Sequence, residues 1–323
     1  MRIGILADAG RTAGLGHLTR CLALAQAVET IHGRKPIFLD LDTASRRWVE
    51  ERGFPCRRGW RGPWDLLIVD SYRLSKKDYA SARRGADRVL LIHDAGTLRS
   101  PADWLLNSAV YAKEVRYGKA DVGGMLLGPI FQPLRREFWR PAPLRLNRRV
   151  RNVLVTLGGG DIQRPLAIVL PSLQTALPEA HFHVVVGPHA QTPPGAPREG
   201  VDVHRSPRDI RRIARSCDIA VSAGGQTLYE LASMGIPVVA LEIAGNQRPN
   251  IAGFVSSGAA LSAGRVEAPG FKKTFRKKLR ILADDRGLRA ALARAGRRMI
   301  DGQGALRTIR AISLSGREGK TAC

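Results

Sequence analysis

Short runs of aliphatic and β-branched residues alternate with longer segments of helical period along almost the whole chain. This alternation predicts βα units, because neighbouring parallel strands must be joined by a crossover that is usually a helix. In the first half the predicted strands are Ile3–Leu6, Ile37–Leu39, Leu66–Val69, Val89–Ile92 and Met125–Leu127. A second series follows at Val153–Leu157, Phe182–Val186, Ile219–Ser222, Val238–Leu241 and Ala259–Leu261. Runs that are apolar at every position, such as Leu66-Leu67-Ile68-Val69, fit strands covered by helices on both faces. Two α/β domains of similar size follow. The boundary is expected near Pro133–Arg149, where Pro133, Pro141 and Pro143 interrupt any helix and six arginines make the segment polar. The expected division is 1–143 and 144–312, with 313–323 a flexible tail that has no periodic face.

Composition narrows the class. The chain has 323 residues, 44 % hydrophobic and 25 % charged, which excludes disorder as the main state and suits about two domains. No apolar run approaches the roughly 20 residues of a bilayer span, and Met1 leads almost at once into the first strand. Neither membrane insertion nor a signal peptide is expected, so the expected compartment is the cytoplasm. Cys21, Cys56, Cys217 and Cys323 lie far apart, with no CxxC pair and no His/Cys ligand cluster, and are read as reduced thiols without metal or disulfide.

The net charge of +24 raises the question of a polyanionic partner. Its distribution answers against nucleic acid, since the 42 arginines are scattered through every part of the chain and aromatic residues are only 6 %. One basic cluster, Lys272, Lys273, Arg276, Lys277, Lys278 and Arg280, is read as a solvated helix face.

In open parallel sheets, ligands bind beyond the carboxyl ends of the strands, so candidate chemistry is sought there. The first such end reads Asp8-Ala9-Gly10-Arg11-Thr12-Ala13-Gly14-Leu15-Gly16-His17 and runs into a helix carrying Arg20 and Cys21. Glycines let the backbone approach a ligand, and the helix dipole biases an imidazole at its start towards the neutral form, which suits a base. A His17 that only satisfies local hydrogen bonds is the alternative. The spacing is not GxGxxG, which disfavours a nicotinamide site. Later ends carry Asp70-Ser71-Tyr72, His93-Asp94, and Asn107 with Tyr111-Ala112-Lys113. Taken singly, Asp70 reads as a helix cap and Tyr72 as a packing residue.

The second half offers Gly158-Gly159-Gly160-Asp161 and Ser222-Ala223-Gly224-Gly225-Gln226-Thr227-Leu228-Tyr229-Glu230. The latter is a glycine turn feeding a helix, whose exposed amides suit a diphosphate. Glu230 could accept hydrogen bonds from ribose hydroxyls, although Thr227-Leu228-Tyr229-Glu230 also matches a capping box. Gly245-Asn246-Gln247-Arg248-Pro249-Asn250 reads either as amides for a nucleotide or sugar, or as a surface turn.

Together these motifs resemble the nucleotide-sugar hydrolases of pseudaminic acid biosynthesis (PseG type) and the related spore-coat polysaccharide proteins. The resemblance is carried by Gly14-Leu15-Gly16-His17 with Arg20, Asp70-Ser71-Tyr72, Leu105-Leu106-Asn107 through Lys113, and Pro133-Leu134-Arg135-Arg136-Glu137-Phe138. In the second half Gly158-Gly159-Gly160-Asp161, Gly224 to Glu230 and Asn246-Gln247 carry it. It implies the GT-B fold shared with MurG-type glycosyltransferases, two Rossmann-like domains facing across a cleft. It implies hydrolysis of UDP-2,4-diacetamido-2,4,6-trideoxy-β-L-altropyranose to UDP and free sugar without a metal; inversion, no cofactor and a monomeric state are separate expectations. His17 is then the base, with Tyr72 in the active site and Gly14, Gly16, Arg20, Asp70, Asp94, Asn107 and Arg135 on the sugar side. UDP contacts are expected at Gly158, Gly159, Gly224, Gly225, Gln226, Thr227, Glu230, Gln247 and Asn250. The chain departs from the family pattern at Gln226 and Gly160, where Ser is usual, at Phe131, where Tyr is, and at His93, where Asp is. A GT-B glycosyltransferase using a UDP-amino sugar for surface polysaccharide is the competing reading.

Overall fold

The computed structural model describes residues 1–10, 15–94, 102–117, 122–142, 146–159, 162–187 and 199–314. The contacts divide the chain into two compact units, the second running through Arg140–Asp301. The first contains most of the chain up to Trp139, and the segment from Gly302 returns to it.

The first unit is built on a seven-stranded parallel sheet in the order β3-β2-β1-β4-β5-β6-β7. Its strands are β1 (Ile3–Ala7), β2 (Ile37–Leu39), β3 (Cys56–Arg57), β4 (Leu66–Asp70), β5 (Val89–Ile92), β6 (Ala102–Asn107) and β7 (Val122–Leu127). Helices α1 (Gly16–His32), α2 (Thr43–Glu50) and α3 (Lys76–Arg84) provide crossovers. All residues of β1, β4 and β5 are buried, as expected for strands covered on both faces. Each short helix is started by a side chain: Asp42 accepts from the amides of Ala44 and Ser45, and Ser75 with Asp78 forms a reciprocal capping box.

The second unit carries a six-stranded parallel sheet in the order β10-β9-β8-β11-β12-β13. Its strands are β8 (Asn152–Thr156), β9 (His181–Val186), β10 (Val201–Arg205), β11 (Ile219–Ala223), β12 (Val238–Glu242) and β13 (Leu261–Arg265). Helices α4 (Gln163–Ala176), α5 (Ile210–Arg215), α6 (Gln226–Met234), α7 (Arg248–Ser256), α8 (Phe271–Asp284) and α9 (Arg286–Met299) belong to it. Val153, Val155, Phe182, Val184, Val221 and Val239 form its core with Leu166 and Leu173 of α4 and Phe275 and Leu279 of α8. On α8 the apolar positions Phe271, Phe275, Leu279 and Leu282 are buried, and Lys272, Lys273, Lys277 and Arg280 are exposed. The basic cluster is therefore the solvated face of an amphipathic helix, as expected.

The last helix, α10 (Gly304–Leu314), buries Ala305, Leu306, Thr308, Ile309 and Ile312. Gly302 and Gly304 make this crossing possible, because a Cβ on either would collide with backbone atoms of Phe138 and Gln132 respectively.

Two strand expectations differ from the structure. Ala259–Leu261 is not a strand: the Ala259 amide donates to the Phe254 carbonyl at 2.8 Å and so closes α7, and β13 starts at Leu261. β3, β6 and β10 were not among the expected strands; β3 has two half-buried residues, and β10 carries Asp202, His204 and Arg205. The expected tail lies almost wholly outside the described residues, as do Pro143, Gly160 and Asp161.

Arg289 of α9 is 1 % exposed and donates to the carbonyls of Leu282 (2.9 Å), Ala283 (2.5 Å), Asn147 (3.0 Å) and Arg148 (2.8 Å). It ties the end of α8 to the segment that enters β8. Arg289→Met keeps the stem but leaves four carbonyls without their donor, so we expect a loss of about 3 kcal/mol or more in urea unfolding. An unchanged urea midpoint would contradict this role.

Candidate active site

Both sheets follow the order in which the chain leaves the first-formed strand in opposite directions, so β1/β4 and β8/β11 are the topological switch points. Crevices open at such points beyond the carboxyl ends of the strands. In the first unit, β1 ends beside Asp8 and β4 ends with Asp70, followed by Ser71 and Tyr72.

Asp70 organises this end. It is 1 % exposed and accepts from Arg20 Nε at Oδ2 and Arg20 Nη2 at Oδ1, both at 2.5 Å. Its Oδ1 also lies 2.7 Å from His17 Nδ1, and Cys21 Sγ donates to Oδ2 at 3.6 Å. His17 and Arg20 are three residues apart near the start of α1, so they lie on one face of the helix and reach one carboxylate. Burial alone would raise the Asp70 carboxyl, but the Arg20 guanidinium and then His17 outweigh it and hold it well below the usual carboxylate range. For Arg20, burial opposes the charged form, and Asp70 with Asp94 more than restores it, so the guanidinium stays charged. A carboxylate oxygen only accepts, so the contact between His17 and Asp70 is one that Nδ1–H donates.

Tyr72 completes the group. Its ring meets His17 edge to face with centroids 5.0 Å apart, and its hydroxyl donates to Asp94 Oδ1. Burial and then the Asp94 charge push the phenol upward, so Tyr72 is a hydrogen-bond donor at neutral pH, not a phenolate. Asp94 also pairs with Arg20 Nη1 at 3.6 Å. Asp8 accepts from the Ser71 hydroxyl (2.7 Å), the Tyr72 amide (2.8 Å) and Arg73 Nε (3.0 Å), which sets the turn after β4. Burial pushes the Asp8 carboxyl up, but these donors outweigh it and hold it low.

His17, Arg20, Asp70, Tyr72 and Asp94 are thus brought together, and the helix-cap reading of Asp70 and the packing reading of Tyr72 are not what the structure has. Asn107 ends β6 in the same sheet and holds the local turn, accepting from the Ala109 amide at 3.0 Å and donating to Tyr117. Arg135 is buried, pairs with Glu137 at 3.0 Å and lies over the Phe138 ring. Gly16 is the first residue of α1, and Gly14 falls outside the described residues. Sequence reasoning left out Asp8 as a site residue, and also His93 and Tyr111. The His93 Nε2 is buried without a hydrogen-bond partner, 6.3 Å separates its ring from Tyr72, and burial lowers its basicity. Burial, followed by Asp94, pushes Tyr111 up to about 12. Their positions at strand ends were legible, but their partners depend on strand order.

In the second unit, Gly158 follows β8 with φ +103°, a conformation that favours glycine. Gly159 runs so close to Gly187 that a Cβ on Gly187 would lie 2.9 Å from the Gly159 Cα. Gly225 is the N-cap of α6 and no side chain caps this helix. A Cβ on Gly225 would meet nothing within 4 Å, whereas one on Gly224 would lie 2.6 Å from Ile251 Cγ1. Gly224 is therefore required by packing against α7, and Gly225 opens the helix start to an approaching group. Because α6 begins at Gln226, Thr227 is its second residue and cannot be the cap, so the capping-box reading of Thr227 and Glu230 is excluded. Glu230 is 2 % exposed in the second turn. Asn250 accepts from the Tyr229 hydroxyl at 2.6 Å and donates to the Gly224 carbonyl at 3.3 Å. Gln247 Oε1 accepts from the amides of Ile243 (3.0 Å) and Ala244 (3.4 Å), so it shapes the turn after β12.

No family model matches the chain. A Helicobacter pylori protein named "Pseudaminic acid cytidylyltransferase and UDP-2,4-diacetamido-2,4,6-trideoxy-beta-L-altropyranose hydrolase" is 29 % identical over 254 residues. That match covers 76 % of this chain but only 45 % of the relative, under half its length. The Bacillus subtilis spore coat polysaccharide biosynthesis protein SpsG is 24 % identical over 338 residues, 95 % of this chain and 96 % of that one. Among solved structures, Acinetobacter baumannii MurG superposes with a TM-score of 0.60 over 97 % of this chain and 99 % of its own, at 14 % identity. The fold is GT-B. The resemblance to PseG-type and spore-coat proteins, carried by the motifs above, is borne out by these relatives. No helix among the described residues is long and apolar enough to cross a membrane.

Removing the cation from Asp70 tests the buried network. Arg20→Met leaves a buried carboxylate without its partner and should cost about 3–5 kcal/mol at pH 7. The Asp70 carboxyl is depressed in the folded state, so its stabilisation is present above the unfolded value, near 3.9, and is lost as pH falls below that. In urea titrations the gap between wild type and variant should therefore narrow from pH 7 to pH 3. A gap that is constant or wider in acid would contradict the pairing.

Proposed function

We propose that this chain is a nucleotide-sugar hydrolase, cleaving UDP-2,4-diacetamido-2,4,6-trideoxy-β-L-altropyranose or a related UDP-amino sugar in pseudaminic or related nonulosonic acid biosynthesis. The observation that carries the proposal is the His17–Asp70–Arg20 arrangement at the β1/β4 switch point, in a chain related to a protein whose name includes that hydrolysis. Of the two activities in that name, the hydrolase is favoured because the GT-B fold is that of enzymes acting on nucleotide sugars.

In the proposed reaction Asp70 orients the ring and His17 Nε2 takes a proton from water as its oxygen attacks the anomeric carbon. The bond from that carbon to the β-phosphate oxygen breaks on the opposite face, and UDP leaves with the electron pair, so the configuration inverts. A nucleoside diphosphate is already a good leaving group, so one base and donors for the departing charge suffice, with no metal and no second carboxylic acid required. The uncapped start of α6 and the turns at Gly158–Gly159 and Gly225 are assigned to the diphosphate. Gln226 and Thr227 open that helix, and Gln247 and Asn250 hold the neighbouring turn. Glu230 is assigned to the ribose hydroxyls. Tyr72, Asp94 and Asn107, with Gly14, Gly16 and Arg135, remain assigned to the sugar side.

A glycosyltransferase is the second reading, favoured by structural neighbours such as MurG. Incubation with UDP-amino sugars separates the two: release of UDP with water alone, followed by NMR for inversion, supports the hydrolase, and release only on adding an acceptor supports the transferase. His17→Asn should lower kcat by roughly 100-fold or more, the usual scale for losing a general base, and near-normal turnover would remove His17 from that role. Glu230→Gln should raise KM about tenfold with little change in kcat, because it weakens a contact present equally in ground and transition states. A change confined to kcat would place Glu230 in the chemistry instead.

A further inference from the structure

At the edge of the second unit's sheet, β10 pairs with β9 in parallel, with Asp202 beside His183 and Val203 beside Val184. Side chains alternate between faces along a strand, so Phe182, Val184, Val186 and Val201 enter the core while His181, His183, Asp202 and His204 share the other face. This places three imidazoles and a carboxylate on two adjoining strands. His181 Nε2 lies 2.9 Å from Asp202 Oδ2, His183 Nδ1 lies 3.7 Å from the same oxygen, and His183 Nδ1 lies 3.2 Å from His204 Nε2. One ligand atom from each of His181, His183 and Asp202 falls within 4.8 Å of the other two.

Those separations suit a metal. Ligand atoms at about 2.0–2.1 Å from a tetrahedral zinc ion are about 3.3 Å from one another, and the observed spacings bracket that value. Imidazole and carboxylate together match Zn²⁺ and its neighbours, not Ca²⁺ or Mg²⁺, which prefer oxygen. Asp202 and His181 are exposed enough for an ion to enter from solvent.

We propose that His181, His183 and Asp202, with His204 in reach as a fourth ligand, form a divalent transition-metal site of the zinc type that ties edge strand β10 to β9. The site is independent of the hydrolase reading: His181 and His183 occupy the first and third positions of β9, whereas the glycines assigned to the diphosphate lie beyond strand carboxyl ends. The expectation of no ligand cluster came from looking for Cys and His close in sequence, and these four residues come from two segments that pair only in the sheet.

The test uses the full chain without an affinity tag, stripped with a chelator and dialysed. Titration calorimetry with Zn²⁺ should show one ion per chain with micromolar or tighter Kd, and bound Zn²⁺ should raise Tm by several degrees. Co²⁺ should give the visible absorption of a tetrahedral site. His183→Ala and Asp202→Asn should each weaken Zn²⁺ binding about tenfold or more, and His32→Ala, on α1, should not. Asp202 is exposed, so Asp202→Asn remains informative if His183→Ala fails to fold by circular dichroism. Absence of saturable Zn²⁺ binding, or binding of equal strength in Asp202→Asn, would overturn the proposal.

Discussion

A carboxylate sealed from water at the end of a parallel strand cannot stand alone, and Asp70 shows what that demands of its surroundings. Taking such a charge out of solvent is costly unless a cation and further donors match it. Arg20 supplies the cation in a two-pronged contact, and His17 and Cys21 fill the remaining positions. All three come from the first two turns of α1, so the start of that helix is held against the end of β4. The place and orientation of the imidazole are then consequences of folding. Tyr72, two residues beyond Asp70, turns its ring edge to His17 because Asp8 holds its amide and Asp94 its hydroxyl.

The second unit solves a different problem by different means. The ends of β8 and β11 carry glycines, not paired charges, and close packing and an amide contact shape them: Gly159 against Gly187, Gly224 against the Ile251 side chain, Asn250 to the Gly224 carbonyl. An end built this way presents N–H groups and a helix start without bringing a carboxylate to the surface of the turn, which is what an anionic ligand requires. The buried acid Glu230 is set back in the second turn of α6, away from the helix start.

Much of this was legible in the sequence because fully buried parallel strands are apolar at every position. Ile37–Leu39 and Val89–Ile92 coincide with β2 and β5, and β4 and β11 extend their expected runs by a single residue. Edge strands were the harder case. Cys56–Arg57 is two residues long and half-buried, and Val201–Arg205 alternates apolar and polar residues over only five positions, so neither stands out from a loop. The site was legible as a set of strand ends, since chemistry collects where parallel strands stop. What one sequence does not carry is the strand order that makes Asp8 a neighbour of Tyr72 across 64 positions, or His183 a neighbour of Asp202. The helix start shows the same limit: Thr227-x-x-Glu230 has the spacing of a capping box, yet the turn ends two residues too early for Thr227 to be the cap.

The charge of the chain acquires a different meaning at this scale. The net +24 belongs to the surface, as on the solvated face of α8, and it does not describe the ground around His17. There, three carboxylates, Asp8, Asp70 and Asp94, face two guanidiniums, Arg20 and Arg73, so carboxylates outnumber guanidiniums by one. A diphosphate would gain nothing by lying against that group. That surplus of carboxylates fits the proposed assignment, in which the diphosphate lies at the glycine turns of the second unit.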